Sequence, residues 1–154
     1  MLNRRGAKMN YEKSYGAVVF RKIKDILYVL IINFDYKMLN IWGFPKGHAE
    51  SGENEIQTAC REVKEETFVD IEVIPGFEEC TKFKLTEGLT IRNRVVKYFI
   101  GKPLPTKIKI ESGKLKNVKW TQVDRAKELL TFKCDKIVLE KACKFLKNKN
   151  FYSF

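Results

Sequence analysis

Glu62, Glu65 and Glu66 stand three and four residues apart, so on a helix their carboxylates share one face. Like charges so placed cost a helix a few tenths of a kcal/mol per pair unless a cation stands among them. Oxygen-only ligands on a rigid helix suit a hard ion, Mg²⁺ or Mn²⁺, which keeps several waters and lends its open positions to phosphate oxygens. The plainer alternative is a solvated helix face, with Arg61 pairing to Glu65 and Lys64 nearby.

The surrounding residues indicate which elements must hold these acids. Ile56, Ala59, Cys60 and Val63 recur at helical spacing, and Asn54 with Gln57 three residues on forms a capping-box pattern, so a helix is predicted over 54–66. Its apolar side, Ile56, Ala59 and Val63, is expected to face the core. Before it, Ile41 to His48 is too rich in Gly and Pro for a helix and reads as a short extended piece running into a loop that Gly52 closes. Tyr15 to Arg21 and Ile26 to Phe34 are β-rich runs separated by a short polar stretch, a hairpin signal. Strand-like runs follow at 71–74, 78–85, 89–100 and 115–121, punctuated by Pro75-Gly76, Glu87-Gly88 and Pro103-Leu104-Pro105. The tail returns to helical period over 123–130 and 135–147, with Asp135 as the expected cap of the last helix. This order predicts an α/β protein, a mixed sheet in an α/β/α sandwich.

Composition narrows the class. At 154 residues, 44% hydrophobic and 32% charged, the chain is read as one domain over 1–154, and collagen, coiled coil and disordered chain are excluded. No apolar run approaches the ~20 residues of a membrane span, and the basic start, Met1 to Lys8, leads into Asn10, Glu12 and Lys13 instead of an apolar stretch. No membrane partner is expected, and the reading is a cytoplasmic monomer. Four cysteines without a CxxC pair and a single histidine give no zinc pattern; reduced, mostly buried thiols are expected. The formal charge is +11, yet residues 47–69 carry six Glu against Arg61 and Lys64, a local −4 that leaves +15 elsewhere. An acidic island in a basic chain suits a divalent cation ringed by a field that attracts polyanions.

The island has a recognisable pattern. Gly47, five residues, Glu53, seven residues, Arg61-Glu62-Val63, one residue, Glu65-Glu66, one residue, Phe68-Val69 resembles the Nudix box over 47–69. One position departs: Phe68 stands where the family has Gly, which serves at the helix C′ position, where φ > 0 is favoured. A helix that stops by another route or frays after Thr67 is therefore expected. The resemblance implies a Nudix fold and Mg²⁺-dependent hydrolysis of a nucleoside diphosphate linked to another moiety. It further implies that Glu62, Glu65 and Glu66 are metal ligands, with the backbone carbonyl of Lys46 as a further one. Glu53 would support the cluster, Arg61 would orient the carboxylates by salt bridging, and Glu66 or Glu62 would take the proton from the attacking water. Members often add an acid from a later loop; Glu111 is the candidate. The chemistry agrees independently, because splitting a phosphoanhydride requires charge neutralised on the transferring oxygens and water activated near neutral pH.

The flank is more specific. Trp42-Gly43-Phe44-Pro45-Lys46-Gly47-His48-Ala49-Glu50-Ser51-Gly52-Glu53 resembles the corresponding run of the asymmetrical diadenosine tetraphosphate hydrolases, and similarity extends more loosely to Gly16–Arg21, Val95–Phe99 and the closing helix. The implied partner is a dinucleoside polyphosphate split to ATP and AMP. Lys46 and His48 would lie along the phosphate chain, though His48 also suits a loop hydrogen bond. Tyr98 and Phe83 are candidates to stack on adenine, or else core residues of alternating strands. Two other functions remain open: an RNA 5′-end pyrophosphohydrolase, with Arg92-Asn93-Arg94 as backbone track, and a nucleotide- or RNA-binding module with a vestigial box.

Overall fold

In strand β1 (Tyr11–Ile23), the run Ala17, Val18, Val19 and Phe20 is wholly buried. Neighbouring strand residues point to opposite faces, so such a strand must be covered on both sides. Ala17 and Val19 enter one core with Leu30, Val63 and Ile71, while Val18 and Phe20 enter the other with Val29, Ile31, Tyr98 and Leu139. The computed structural model describes residues 10–36, 39–105 and 117–150.

Around β1 lie β2 (Ile26–Tyr36), β3 (Leu39–Gly43), β4 (Lys46–Gly47), β5 (Ile71–Glu87), β6 (Thr90–Pro103) and β7 (Val118–Gln122), with helices α1 (Glu55–Thr67), α2 (Val123–Leu129) and α3 (Lys133–Asn148). The sheet order is β3-β2-β1-β6-β5, with β4 also on β1 and β7 on β2. Among the described residues only the β1–β6 pairing is parallel, running from Tyr11 opposite Asn93 to Val19 opposite Gly101; the other pairings are antiparallel. The result is the mixed, helix-covered α/β sheet expected from the sequence. Among the described residues no helix is long and apolar enough to cross a membrane.

Local chemistry accounts for the elements. The β1–β2 hairpin turns at Lys24 and Asp25, both at positive φ (47° and 65°), the pairing a two-residue turn requires. Pro75-Gly76, read as punctuation, instead forms an irregularity within one long strand: the β5–β6 register shifts between Ile74 and Glu79. As β5 is an edge strand, its Pro75 costs no ladder bond in the interior. At the start of α1 the capping box is complete, Asn54 Oδ1 accepting from the Gln57 N–H at 2.8 Å and Gln57 Oε1 from the Asn54 N–H at 2.9 Å.

Four expectations need correction. Ala59 and Val63 are buried as expected, but Ile56 is exposed and α1 buries Thr58 and Thr67 in addition. Asp135 does not cap α3: the helix begins two residues earlier, after Phe132, and Asp135 is buried inside its first turn. Of the thiols, Cys60, Cys134 and Cys143 are partly buried, but Cys80 is exposed on edge strand β5. Finally, α1 ends by the left-handed route despite lacking glycine. Phe68 takes φ 59°, ψ 16°, and its N–H closes the helix on the Lys64 carbonyl at 2.8 Å.

A side chain in that conformation costs about 1 kcal/mol, and the Phe68 side chain recovers little because the residue is 49% exposed. Phe68→Gly should therefore raise the thermal midpoint by about 2–4 °C, whereas Phe68→Ala, which keeps the strain, should not. A scanning melt of the three proteins checks this; a lower midpoint for Phe68→Gly would mean the ring makes contacts worth more than the strain.

Candidate active site

The loop before α1 is tied down by β4, whose two residues pair with β1 as Gly47 opposite Tyr15 and Lys46 opposite Gly16. Consecutive strand residues face opposite ways, and here that sends the two positions toward different helices. On the α1 side, a Cβ at Gly47 would lie 2.1–2.3 Å from the Glu62 carboxylate. Only glycine admits the acid so close to the loop backbone. On the other side the Lys46 ammonium sits 4.2 Å over the Phe34 ring, an attractive cation–π contact.

Arg61 gathers the acids. Its Nε donates to Glu53 Oε1 at 2.6 Å and its Nη2 to Glu53 Oε2 at 3.0 Å, a bidentate pair. Nη2 also donates to the His48 carbonyl at 2.8 Å, and Nη1 to Glu62 Oε1 at 2.9 Å and Glu65 Oε2 at 3.1 Å. Glu53 Oε2 accepts in addition from the Glu50 N–H and the Thr58 hydroxyl, both at 3.0 Å. These donors, Arg61 foremost, hold the Glu53 carboxyl at about 2, well below its ordinary value, and the same contacts push the Arg61 guanidinium up.

Glu66 behaves oppositely. Burial first, and then the neighbouring Glu62, raise its carboxyl to about 7, while the Lys46 ammonium and a hydrogen bond from the Lys46 backbone N–H act to lower it. Its Oε2 is buried without a hydrogen-bond partner. Such an atom in a native site calls for a proton or a cation. Glu62 and Glu66 thus stand together beside the Lys46–Gly47 backbone, and Glu62 is only 14% exposed at its side chain; Glu65, at 57%, turns outward to Arg61. Among the described residues no three His, Cys, Asp or Glu side chains converge closely enough to hold an ion as they stand. The hydrogen bond from Arg61 turns Glu65 away from the other two. The donors fit a hard divalent cation: two adjacent carboxylates, an unpartnered buried oxygen and backbone close by.

The other predicted site residues divide. His48 is exposed; its Nδ1–H donates to the Lys13 carbonyl at 2.9 Å and lies 3.4 Å from the Ser14 hydroxyl, so it fastens the loop to β1. Phe83 is half-buried at the core's edge. Tyr98 is corrected from stacking platform to core: 1% exposed, its ring meets Phe44 edge-on at 5.6 Å and its hydroxyl donates to Asp135 Oδ1 at 3.3 Å. A ring so enclosed has no face for a base. Arg92 and Arg94, the expected RNA track, both pair with Glu12. Glu111 lies outside the described residues. Sequence reasoning missed Asp135 and Phe34, which neighbour Lys46. The available signal for Asp135 was its place on the apolar stripe of α3, three, four and seven residues before Val138, Leu139 and Ala142.

The raised Glu66 carboxyl makes a prediction for metal-free protein. Its folded-state value, about 7, exceeds the unfolded one, so the folded state holds the proton more tightly, and stability is lost as pH rises between the two. Glu66→Gln should then be more stable than wild type at pH 8 in EDTA by about 2–3 kcal/mol and nearly equal to it at pH 4.5. Urea denaturation at both pH values measures the difference. A difference that does not change with pH would mean Glu66 titrates as an ordinary surface acid.

Comparison with known proteins agrees with this geometry. The NUDIX domain model matches residues 10–141. The chain is 32% identical over 117 residues to the asymmetrical bis(5′-nucleosyl)-tetraphosphatase of Caenorhabditis elegans, covering 74% of this chain and 81% of that protein. It is 27% identical over 143 residues to the enzyme of the same name from Sus scrofa, covering 87% and 95% respectively. The crystal structure of C. elegans Ap4A hydrolase superimposes with a TM-score of 0.73 at 26% identity, over 89% of this chain and 99% of that one. With Glu62, Glu65 and Glu66 carried on α1 and the match running from β1 into α3, the chain belongs to the Nudix hydrolase family.

Proposed function

We propose that this Nudix hydrolase splits a dinucleoside polyphosphate, diadenosine tetraphosphate, to ATP and AMP in a Mg²⁺-dependent reaction, with Mn²⁺ as a substitute. The observation that carries the reading is Glu66: a buried carboxylate with one unpartnered oxygen, beside Glu62 and under the Lys46–Gly47 backbone. The names of the relatives, together with the Trp42 to Glu53 run, favour this substrate among phosphoanhydrides.

In this proposal Glu62 and Glu66 hold the cation, with Glu65 and the Lys46 carbonyl completing the set. The cation, when bound, neutralises phosphate oxygens and makes water more acidic. The water oxygen attacks a phosphorus of the bridging chain, its proton passes to a box carboxylate, Glu66 or Glu62, and the anhydride P–O bond breaks to release one nucleotide. Arg61 keeps Glu53, Glu62 and Glu65 oriented throughout. Lys46 meets the phosphate chain as a point charge, and the loop fastened by His48 carries it there. Phe83 retains partial exposure and is the remaining candidate to contact a base. The basic remainder of the chain draws the polyanion in.

Incubation with Mg²⁺ and diadenosine tetraphosphate should yield equimolar ATP and AMP by chromatography, and EDTA should abolish the reaction. Glu66→Gln should lower turnover by at least about a hundredfold while the protein remains folded. No cleavage of the dinucleotide but release of pyrophosphate from a 5′-triphosphorylated RNA would favour the RNA-end enzyme instead. No turnover of either would mark a binding module.

A further inference from the structure

Asp135 is a carboxylate buried in the first turn of α3. It is 5% exposed; its Oδ1 accepts a long hydrogen bond, 3.3 Å, from the Tyr98 hydroxyl, and its own N–H donates to the Phe132 carbonyl. A carboxylate desolvated to this degree is costly unless a cation compensates it. An asparagine could accept the same Tyr98 hydrogen bond without that cost.

Lys46 is the cation whose charge acts on it. Ideal Cβ placement at Gly43 falls 3.1 Å from Phe34 Cε2 and 3.2 Å from Asp135 Oδ2. The ring and the carboxylate therefore press on the same point of β3, and any side chain there would push one of them away. The same Phe34 ring carries the Lys46 ammonium on its face at 4.2 Å. Lys46, Phe34, Gly43 and Asp135 form one contiguous row, closed by Tyr98. Glu66 attracts the ammonium as well, so two carboxylates on different helices act on it.

We propose that Asp135 is a positioning residue: from the first turn of α3 it holds the Lys46 ammonium over Phe34, away from Glu66, and so keeps both the cation and the catalytic carboxylate available to a phosphate chain. Without the Asp135 charge, the carboxylate left to attract Lys46 is Glu66. Collapse of the lysine onto Glu66 would tie up that carboxylate and remove the phosphate contact in one move. This role rests on the proposed hydrolysis only in taking Lys46 as a phosphate contact.

The test is a double-mutant cycle on the full chain with Asp135→Asn, Lys46→Met and the pair. Two quantities are read: the affinity for inorganic tripolyphosphate by titration calorimetry without metal, and KM and kcat for diadenosine tetraphosphate with Mg²⁺. Asp135→Asn should weaken tripolyphosphate binding and raise KM, each about tenfold, with kcat changed less. In the Lys46→Met background it should add nothing, because the group it positions is gone. Tyr98→Phe, which removes only the hydroxyl, should shift both quantities the same way by a smaller factor and stands in if Asp135→Asn melts early. Unchanged or tighter binding, or a loss that persists in the Lys46→Met background, would overturn the role and leave Asp135 a packing residue. If the cycle shows coupling in tripolyphosphate binding while the wild type hydrolyses no dinucleotide, the proposed reaction fails and the positioning role stands. Hydrolysis with no coupling gives the reverse, and a wild type that binds no tripolyphosphate and hydrolyses nothing overturns both.

Discussion

One guanidinium organises the site. Arg61 binds Glu53 with two parallel hydrogen bonds and reaches Glu62, Glu65 and the His48 carbonyl with its remaining donors. A planar fork with five donors makes these contacts at once; the point charge of a lysine would not. The consequence is mechanical as well as electrostatic. The fork joins the loop to the helix that follows it and offsets the repulsion among acids on a single helical turn, so α1 can carry them at all. Its reach also sorts them: Glu53 and Glu65 belong to the arginine, whereas Glu66 lies beyond it and keeps a free oxygen.

That sorting depends on where α1 lies. Val63 packs one side of the helix onto Ala17, Val19, Leu30 and Ile71, and the capping box starts it in register with the loop. Burial of Val63 is worth roughly 2 kcal/mol, more than repulsion among the acids opposes. Gly47 then lets the Glu62 carboxylate come within contact of the loop backbone. Because Lys46 and Gly47 are adjacent residues of a strand, the loop addresses both layers: Gly47 meets α1, and Lys46 reaches toward Phe34 and the first turn of α3. The site is where the two helical layers are brought together through a two-residue strand.

Much of this was legible in advance, for local reasons. The α1 cap, the hairpin at Lys24-Asp25 and the clustering of box acids depend on neighbours three or four residues away, and such patterns survive in a linear string. The stripe of α1 was misread in part because Ile56 looks apolar whatever its environment, while Thr58 and Thr67 are buried with hydroxyls bonded to the Asn54 and Val63 carbonyls. The end of α1 departs from expectation because glycine is only the least costly occupant of the left-handed conformation; Phe68 adopts it and still closes the helix on the Lys64 carbonyl.

The amino-acid order alone determined the family pattern, the helix that bears the acids and the alternation of strands and helices, since each rests on spacing along the chain. Tertiary structure alone decided that Tyr98 is core, that Arg92 and Arg94 are engaged by Glu12, and that Asp135 lies near Lys46, residues 89 positions apart in the sequence. It also decided which acid keeps a free oxygen. Those outcomes depend on burial and on charges brought close by packing, and the energy of a charge is set by what surrounds it in space.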